Sequence, residues 1–142
     1  MGNALNRELG VDVESFTTER ILEDGFGAAP KFSLLVAEMG GVPAGYALYH
    51  ASYDSDIAAP SLWLVDLYVE ERARRAGAGR ALMRALAREA LRSGARTVAW
   101  CVQDRNERAI AFYRALGAPG LPVHVMELRD EKLSALADGT SP

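Results

Sequence analysis

Leu62-Trp63-Leu64-Val65-Asp66-Leu67-Tyr68-Val69 is an apolar strand pattern, and it runs into the basic loop Glu70-Glu71-Arg72-Ala73-Arg74-Arg75-Ala76-Gly77-Ala78-Gly79-Arg80. That loop opens onto a helical pattern over residues 81–93, in which Leu82, Met83, Leu86, Ala87, Ala90 and Leu91 form one apolar stripe at i, i+1, i+4, i+5, i+8 and i+9. Gly77 and Gly79 have no Cβ, so the backbone can turn sharply and bring several N–H groups to one ligand. The helix that follows points unpaired donors and its positive dipole end at the same place, which makes the loop a candidate phosphate cradle. Arg84, Arg88 and Arg92 line the polar side as a solvated face. Arg80, in the first turn, is the helix arginine placed to meet a phosphate.

Outward from this stretch the punctuation is regular. Thr97 to Val102 reads as a strand parallel to residues 62–69, so that strand, helix and strand form a crossover unit. On the other side, Lys31 to Glu38 and Ala44 to Ser52 read as strands joined by a Gly40-Gly41 hairpin turn, with a loop from Tyr53 to Pro60. Thr17 or Thr18 caps a short helix through Glu23, stopped by Gly25 and Gly27, and residues 1–16 are weakly patterned. Asp104 or Asn106 caps a helix through Leu116, with Gly117 as its stop. Leu121 to Leu128 alternates as a final strand, and Asp130 to Ala137 reads as a short helix before a polar tail at 138–142. The expectation is a single α/β domain over 1–142, with an antiparallel N-terminal half and a parallel crossover at its centre.

Composition narrows the functional classes. The length of 142 residues suits one domain, and 49% hydrophobic with 25% charged residues is ordinary for a globular chain. No apolar run approaches the roughly 20 residues of a membrane span, and the start lacks a signal-peptide core, which implies a cytoplasmic protein without a membrane partner. Cys101, the single cysteine, excludes an internal disulfide, and it lies in an apolar strand pattern as a core residue. The net charge of −3 conceals an asymmetry: residues 1–71 carry 12 acids and 3 bases (−9), whereas residues 72–142 carry 7 acids and 13 bases (+6). A basic half suits a polyphosphate ligand and an acidic half a cationic co-substrate. An acidic total without a basic face interleaved with aromatic residues argues against nucleic acid.

Several chemistries lack their residues. His50 and His124 have no ligand spacing to each other or to Cys101, so no metal site is expected. There is no Gly-x-Ser-x-Gly elbow, and no Gly-Lys-Ser/Thr closes the glycine loop. A dinucleotide-binding reading fails because seven residues separate Val69 from Gly77, where that motif needs a tight turn, and Leu82 replaces its third glycine.

What remains is Arg74-x-x-Gly77-x-Gly79, then Asn106 at the head of a helix, then Tyr113 and Leu116-Gly117-Ala118. This pattern resembles the GNAT superfamily of acyl-CoA N-acyltransferases. Leu22-Glu23-Asp24-Gly25-Phe26-Gly27, Gly45-Tyr46-Ala47-Leu48-Tyr49, Tyr53-Asp54 and Asp66-Leu67-Tyr68-Val69 look like its spermidine/spermine (diamine) and thialysine acetyltransferase branch, over about Glu14 to Ala137. The resemblance implies acetyl-CoA as co-substrate, no metal, a small-molecule primary amine as acceptor and a homodimer. It places pantetheine against the backbone of Leu67, Tyr68 and Val69. The pyrophosphate falls on Arg75, Ala76, Gly77, Ala78, Gly79 and Arg80, with Arg74 as the motif's basic residue. Asn106, helped by Glu107, Arg108 and Ala109, would meet the pantetheine arm, and Tyr113 matches the general acid that protonates the leaving thiolate.

The acceptor side departs from the branch. Its glutamate falls where this chain has Val65, and strand alternation points Val65 and Asp66 to opposite faces, so Asp66 does not simply replace it. Asp66 is either a structural hydrogen-bond acceptor or a substrate or catalytic group, since a buried acid needs partners. The Ala118-Pro119-Gly120-Leu121 connection is short, and the family's first strand and most of its first helix have no counterpart here, which leaves Lys31 to Glu38 as an edge open to a second chain. The rival expectation is a non-catalytic CoA-binding module that kept the cofactor half.

Overall fold

The computed structural model describes residues 1–11 and 16–140, and it separates into two compact units, Met1–Gln103 and Asp104–Pro142. The first unit holds helices α1 (Gly2–Glu8) and α2 (Thr18–Phe26), strands β1 (Ser33–Met39), β2 (Val42–Asp54) and β3 (Ala59–Val69), helix α3 (Ala78–Arg92) and strand β4 (Thr97–Ala99). The second holds α4 (Glu107–Arg114) and α5 (Asp130–Ala137). The mixed α/β class is the one the sequence implies.

The sheet runs β1-β2-β3-β4, antiparallel except for the parallel β3–β4 pair that joins Ser61 to Thr97 and Trp63 to Ala99. Gly40 and Gly41 both carry positive φ, 62° and 75°, and Met39 pairs with Val42. The hairpin is therefore a two-residue turn whose twist matches that of its strands, and glycine is what makes both positions accessible. The expected loop from Tyr53 to Pro60 is shorter than its sequence suggests. Asp54 pairs with Ala59, and the intervening turn is held by Asp54, whose Oδ1 accepts from the Asp56 N–H at 3.1 Å and whose Oδ2 accepts from the Thr97 hydroxyl at 3.0 Å.

Two apolar clusters sandwich the sheet. On one face Leu82, Leu86 and Ala90 of α3 pack on Ala47, Tyr49, Leu62 and Leu64, with Leu67 and Val69 beside them. Leu86 is completely buried, so the i, i+4, i+8 stripe of α3 is the face that fixes it to the sheet. On the other face Tyr46, Leu48 and Tyr68 pack with Ala4 and Leu5 of α1 and with Phe16, Phe32 and Leu34. Gly45 sits where a Cβ would lie 2.7 Å from the Tyr68 carbonyl oxygen, so the close approach of β2 to β3 excludes any side chain there.

Several local expectations are corrected. Residues 2–8 form a helix despite their weak pattern, because Ala4 and Leu5 find apolar partners on the sheet. Thr17 is the cap of α2, accepting from the Arg20 N–H at 3.2 Å, but the helix passes through Gly25 and ends at Gly27. β4 is confined to three residues, since only Ser61 to Trp63 offer a parallel register, and Cys101, beyond its end, is exposed rather than core. Leu121 to Leu128 forms no strand: its alternation has no partner backbone to pair with among the described residues, and Leu121, Val123, Val125 and Met126 are each at least 69% exposed. Glu14, where the family resemblance begins, and the last two tail residues lie outside the described residues.

Candidate active site

The loop after β3 is built by backbone conformation. Glu70 donates its N–H to the Ala44 carbonyl oxygen, a single 3₁₀ turn covers Glu71–Ala73, and Arg75 and Gly77 then take φ of 65° and 89°. Ala81 is the first residue of α3 to find a backbone acceptor, the Gly77 carbonyl oxygen at 2.9 Å. Gly77 caps the helix without a side-chain hydrogen bond, so no acceptor among the described residues meets the N–H groups of Gly77, Ala78, Gly79 and Arg80. A Cβ on Gly77 would have no atom within 4 Å. Free donors, positive dipole and open space are what a pyrophosphate requires, and these residues fit one.

Arg74 is placed differently from the rest of the loop. Its Nε donates to the Val69 carbonyl oxygen at 2.8 Å, its guanidinium pairs with Glu8 of α1, and it lies 5.8 Å from the Tyr68 ring centroid. The side chain thus ties the end of β3 to the loop and to α1.

One residue upstream of Leu67 the register slips. Leu48 pairs with Asp66 while Tyr49 pairs with Leu64, so Val65 is the extra residue of a β-bulge. Leu64 and Leu67 both pack towards α3, three residues apart, where strict alternation would separate them. The expectation that Val65 and Asp66 face opposite ways is corrected for this reason. Val65 follows Leu64 and Asp66 precedes Leu67, so both turn to the face away from α3, and Val65 is 48% exposed. On that face the Tyr46 hydroxyl donates to Asp66 Oδ2 at 3.2 Å. Burial pushes the Asp66 carboxyl up, and the Tyr46 hydrogen bond offsets part of that rise. The Tyr46 phenol is itself driven far up, by burial and then by the neighbouring Asp66 charge. Tyr46 went unremarked as a site residue in the sequence, because a cross-strand partner depends on the register of β2 against β3, which no local pattern fixes.

In the second unit Asn106 caps α4, its Oδ1 accepting from the Ala109 N–H at 3.1 Å, and Glu107 occupies the first turn. Tyr113 packs its ring 5.3 Å from that of Phe112. Burial pushes its phenol up to about 12, which keeps the proton on the oxygen at neutral pH.

Comparison with known proteins decides the class of chemistry. The sequence profile of the acetyltransferase (GNAT) family matches residues 3–118. This chain belongs to that family. The GNAT family uses acetyl-CoA as its co-substrate. The chain is similar to the thialysine N-epsilon-acetyltransferase of Bos taurus, 35% identical over 118 residues that make up 78% of this chain and 69% of the relative. It is also similar to an L-ornithine N5-acetyltransferase of Arabidopsis thaliana, 38% identical over 77 residues, 54% of this chain and 34% of that one. Among solved structures, an integron cassette protein from the mobile metagenome of V. cholerae superposes with a TM-score of 0.75 at 22% identity. The match covers 94% of this acetyltransferase and 85% of that chain, a likeness of fold. Among the described residues no helix is long and apolar enough to cross a membrane, and no cluster of three His, Cys, Asp or Glu forms.

Proposed function

We propose that this acetyltransferase moves an acetyl group from acetyl-CoA to a primary amine of a small molecule, a diamine, polyamine or lysine-like amino acid, by direct transfer. The observation that carries the proposal is the uncapped start of α3, whose free N–H groups follow a strand and a positive-φ loop in the order the family uses for its acyl donor. In this reading Leu67, Tyr68 and Val69 present backbone to pantetheine, Arg75 to Arg80 hold the pyrophosphate, and Arg74 fixes the loop. Asn106 keeps its NH₂ group for the pantetheine arm with Glu107, Arg108 and Ala109 beside it. Tyr113 donates the proton that the departing thiolate takes up, and its protonated phenol supports that role. Val65 and Asp66 line the acceptor side. Relatives named for side-chain amines of amino acids favour a lysine-like acceptor.

Within this proposal the chain acts in the cytoplasm as one domain over 1–142 and as a homodimer. Among the described residues β1 has no second neighbour in the sheet, and an edge of that kind is open to a strand from another copy; a monomeric mass in solution would refute it. Thiol release from acetyl-CoA, measured against thialysine, ornithine, spermidine and an aminoglycoside beside calorimetric titration of CoA, tests the activity. Release with one amine class establishes the acceptor. CoA binding without turnover on any amine favours the binding-module reading, which the apolar Val65 supports.

A further inference from the structure

An amine is an ammonium at neutral pH and must lose a proton before its lone pair can attack. The bulge at Val65 places an apolar, half-exposed side chain where the strand could have offered a carboxylate, and turns Asp66 to the same face. Asp66 Oδ2 is held by the Tyr46 hydroxyl at 3.2 Å, whereas Oδ1 has no partner among the described residues. No buried side-chain oxygen or nitrogen among those residues lacks a partner, so Oδ1 reaches solvent. Asp66 is thus anchored on one oxygen and open on the other, one residue before the backbone of Leu67, Tyr68 and Val69.

We propose that Asp66 is the proton acceptor for the incoming amine and that Tyr46 is the positioning residue which holds its carboxylate. The assignment rests on the acetyl-transfer reading above. Asp66 Oδ1 takes one proton from the ammonium, and the freed lone pair forms a C–N bond at the thioester carbonyl carbon. The C–S bond breaks with its electrons going to sulfur. Nitrogen sheds a second proton, the thiolate gains one from Tyr113, and Tyr113 is reprotonated from water, so one proton is released for each acetyl group transferred. The upward push on the Asp66 carboxyl moves its basicity towards the working pH, which suits a base. The titratable group facing it is Tyr46 on β2; Tyr46 in turn neighbours Tyr68 on β3, and the charges of Glu8 and Arg7 on α1 and of Glu70 and Arg74 after β3 fall on Tyr68. Of these, Tyr46 is the group that acts directly on Asp66.

The test uses acetyl-CoA with thialysine, or with whichever amine in the panel the wild-type chain turns over, across pH 6 to 10. Asp66→Asn keeps an oxygen for the Tyr46 hydroxyl, and CoA titration checks that the variant is folded. It should lower kcat/KM for the amine by about 10² to 10⁴ at neutral pH. The deficit should narrow as the pH rises towards the amine's own pKa, about 10.4 for a lysine-like group. Tyr46→Phe should move the acidic limb of the profile to higher pH and keep the alkaline plateau, because the lost hydrogen bond had favoured the carboxylate. An Asp66→Asn rate within about threefold of wild type, or a deficit equal at every pH, would overturn the assignment. If Asp66→Asn fails to bind CoA, the acidic limb of Tyr46→Phe decides alone, and an unmoved limb rejects the pair. Absence of wild-type turnover on every amine would remove the acetyl-transfer reading, and Asp66 as a base with it, a result distinct from an active Asp66→Asn enzyme.

Discussion

Arg74 Nε donates to the Val69 carbonyl oxygen at 2.8 Å, five residues back along the chain. The contact closes the segment between the end of β3 and the glycine loop, and the pairing with Glu8 extends it to α1. Arg74→Ala should therefore act on both stability and cofactor binding. A charged donor removed from a half-buried carbonyl costs about 1–3 kcal/mol, readable as a lower midpoint in urea. The Michaelis constant for acetyl-CoA should rise while kcat changes little. Glu8→Gln, at an exposed pair, should cost under about 1 kcal/mol.

Gly77 holds φ of 89° at the start of α3, and a Cβ there points into open space. The Cβ of Gly77→Val meets no atom within 4 Å, so the backbone cost is the strain of a β-branched residue at positive φ, about 1–3 kcal/mol. The added methyl groups fill the space a pyrophosphate needs. A folded Gly77→Val protein should lose CoA binding in calorimetry, and retained affinity would reject the cradle.

Tyr113→Phe removes one hydroxyl from a ring that packs beside Phe112 and leaves the packing in place. Steady-state turnover should fall by about 10² to 10⁴ with CoA affinity nearly unchanged. Turnover near the wild-type level would take Tyr113 out of the mechanism.

The pH dependence of stability tests the state of Asp66 without any substrate. Its carboxyl is raised above its ordinary 3.8 by burial, so the native state binds more protons than the unfolded chain between the unfolded and folded values. The stability it contributes is complete below 3.8 and is lost as pH rises through the folded value. Asp66→Asn cannot titrate. Wild type should therefore lose stability relative to Asp66→Asn on going from about pH 3.5 to neutrality in paired denaturant titrations. A gap that stays constant would show that the folded carboxyl is not raised.

The sequence by itself determined the parts whose physics is local. The Gly40-Gly41 turn, the Leu82, Leu86 and Ala90 stripe and a turning glycine ahead of α3 rest on backbone freedom or helical spacing, although α3 begins at Ala78 and takes in Gly79, which leaves the turn to Gly77. For the caps the sequence narrowed the choice to Thr17 or Thr18 and to Asp104 or Asn106, and the structure selects Thr17 and Asn106. The family pattern is legible because Arg74-x-x-Gly77-x-Gly79 is contiguous. Tertiary structure alone decided what depends on a partner distant in sequence. Residues 121–128 alternate like a strand, yet no strand forms there, because alternation supplies a face and pairing requires a second backbone. Residues 2–8 carry little pattern and still form a helix, because the sheet supplies Ala4 and Leu5 with a surface to cover. The bulge at Val65 matters most for function. One extra residue opposite Leu48 and Tyr49 resets the alternation of β3, so that Leu64 and Leu67 share the α3 face and Val65 joins Asp66 on the other, and register of that kind is set by strand pairing across the sheet.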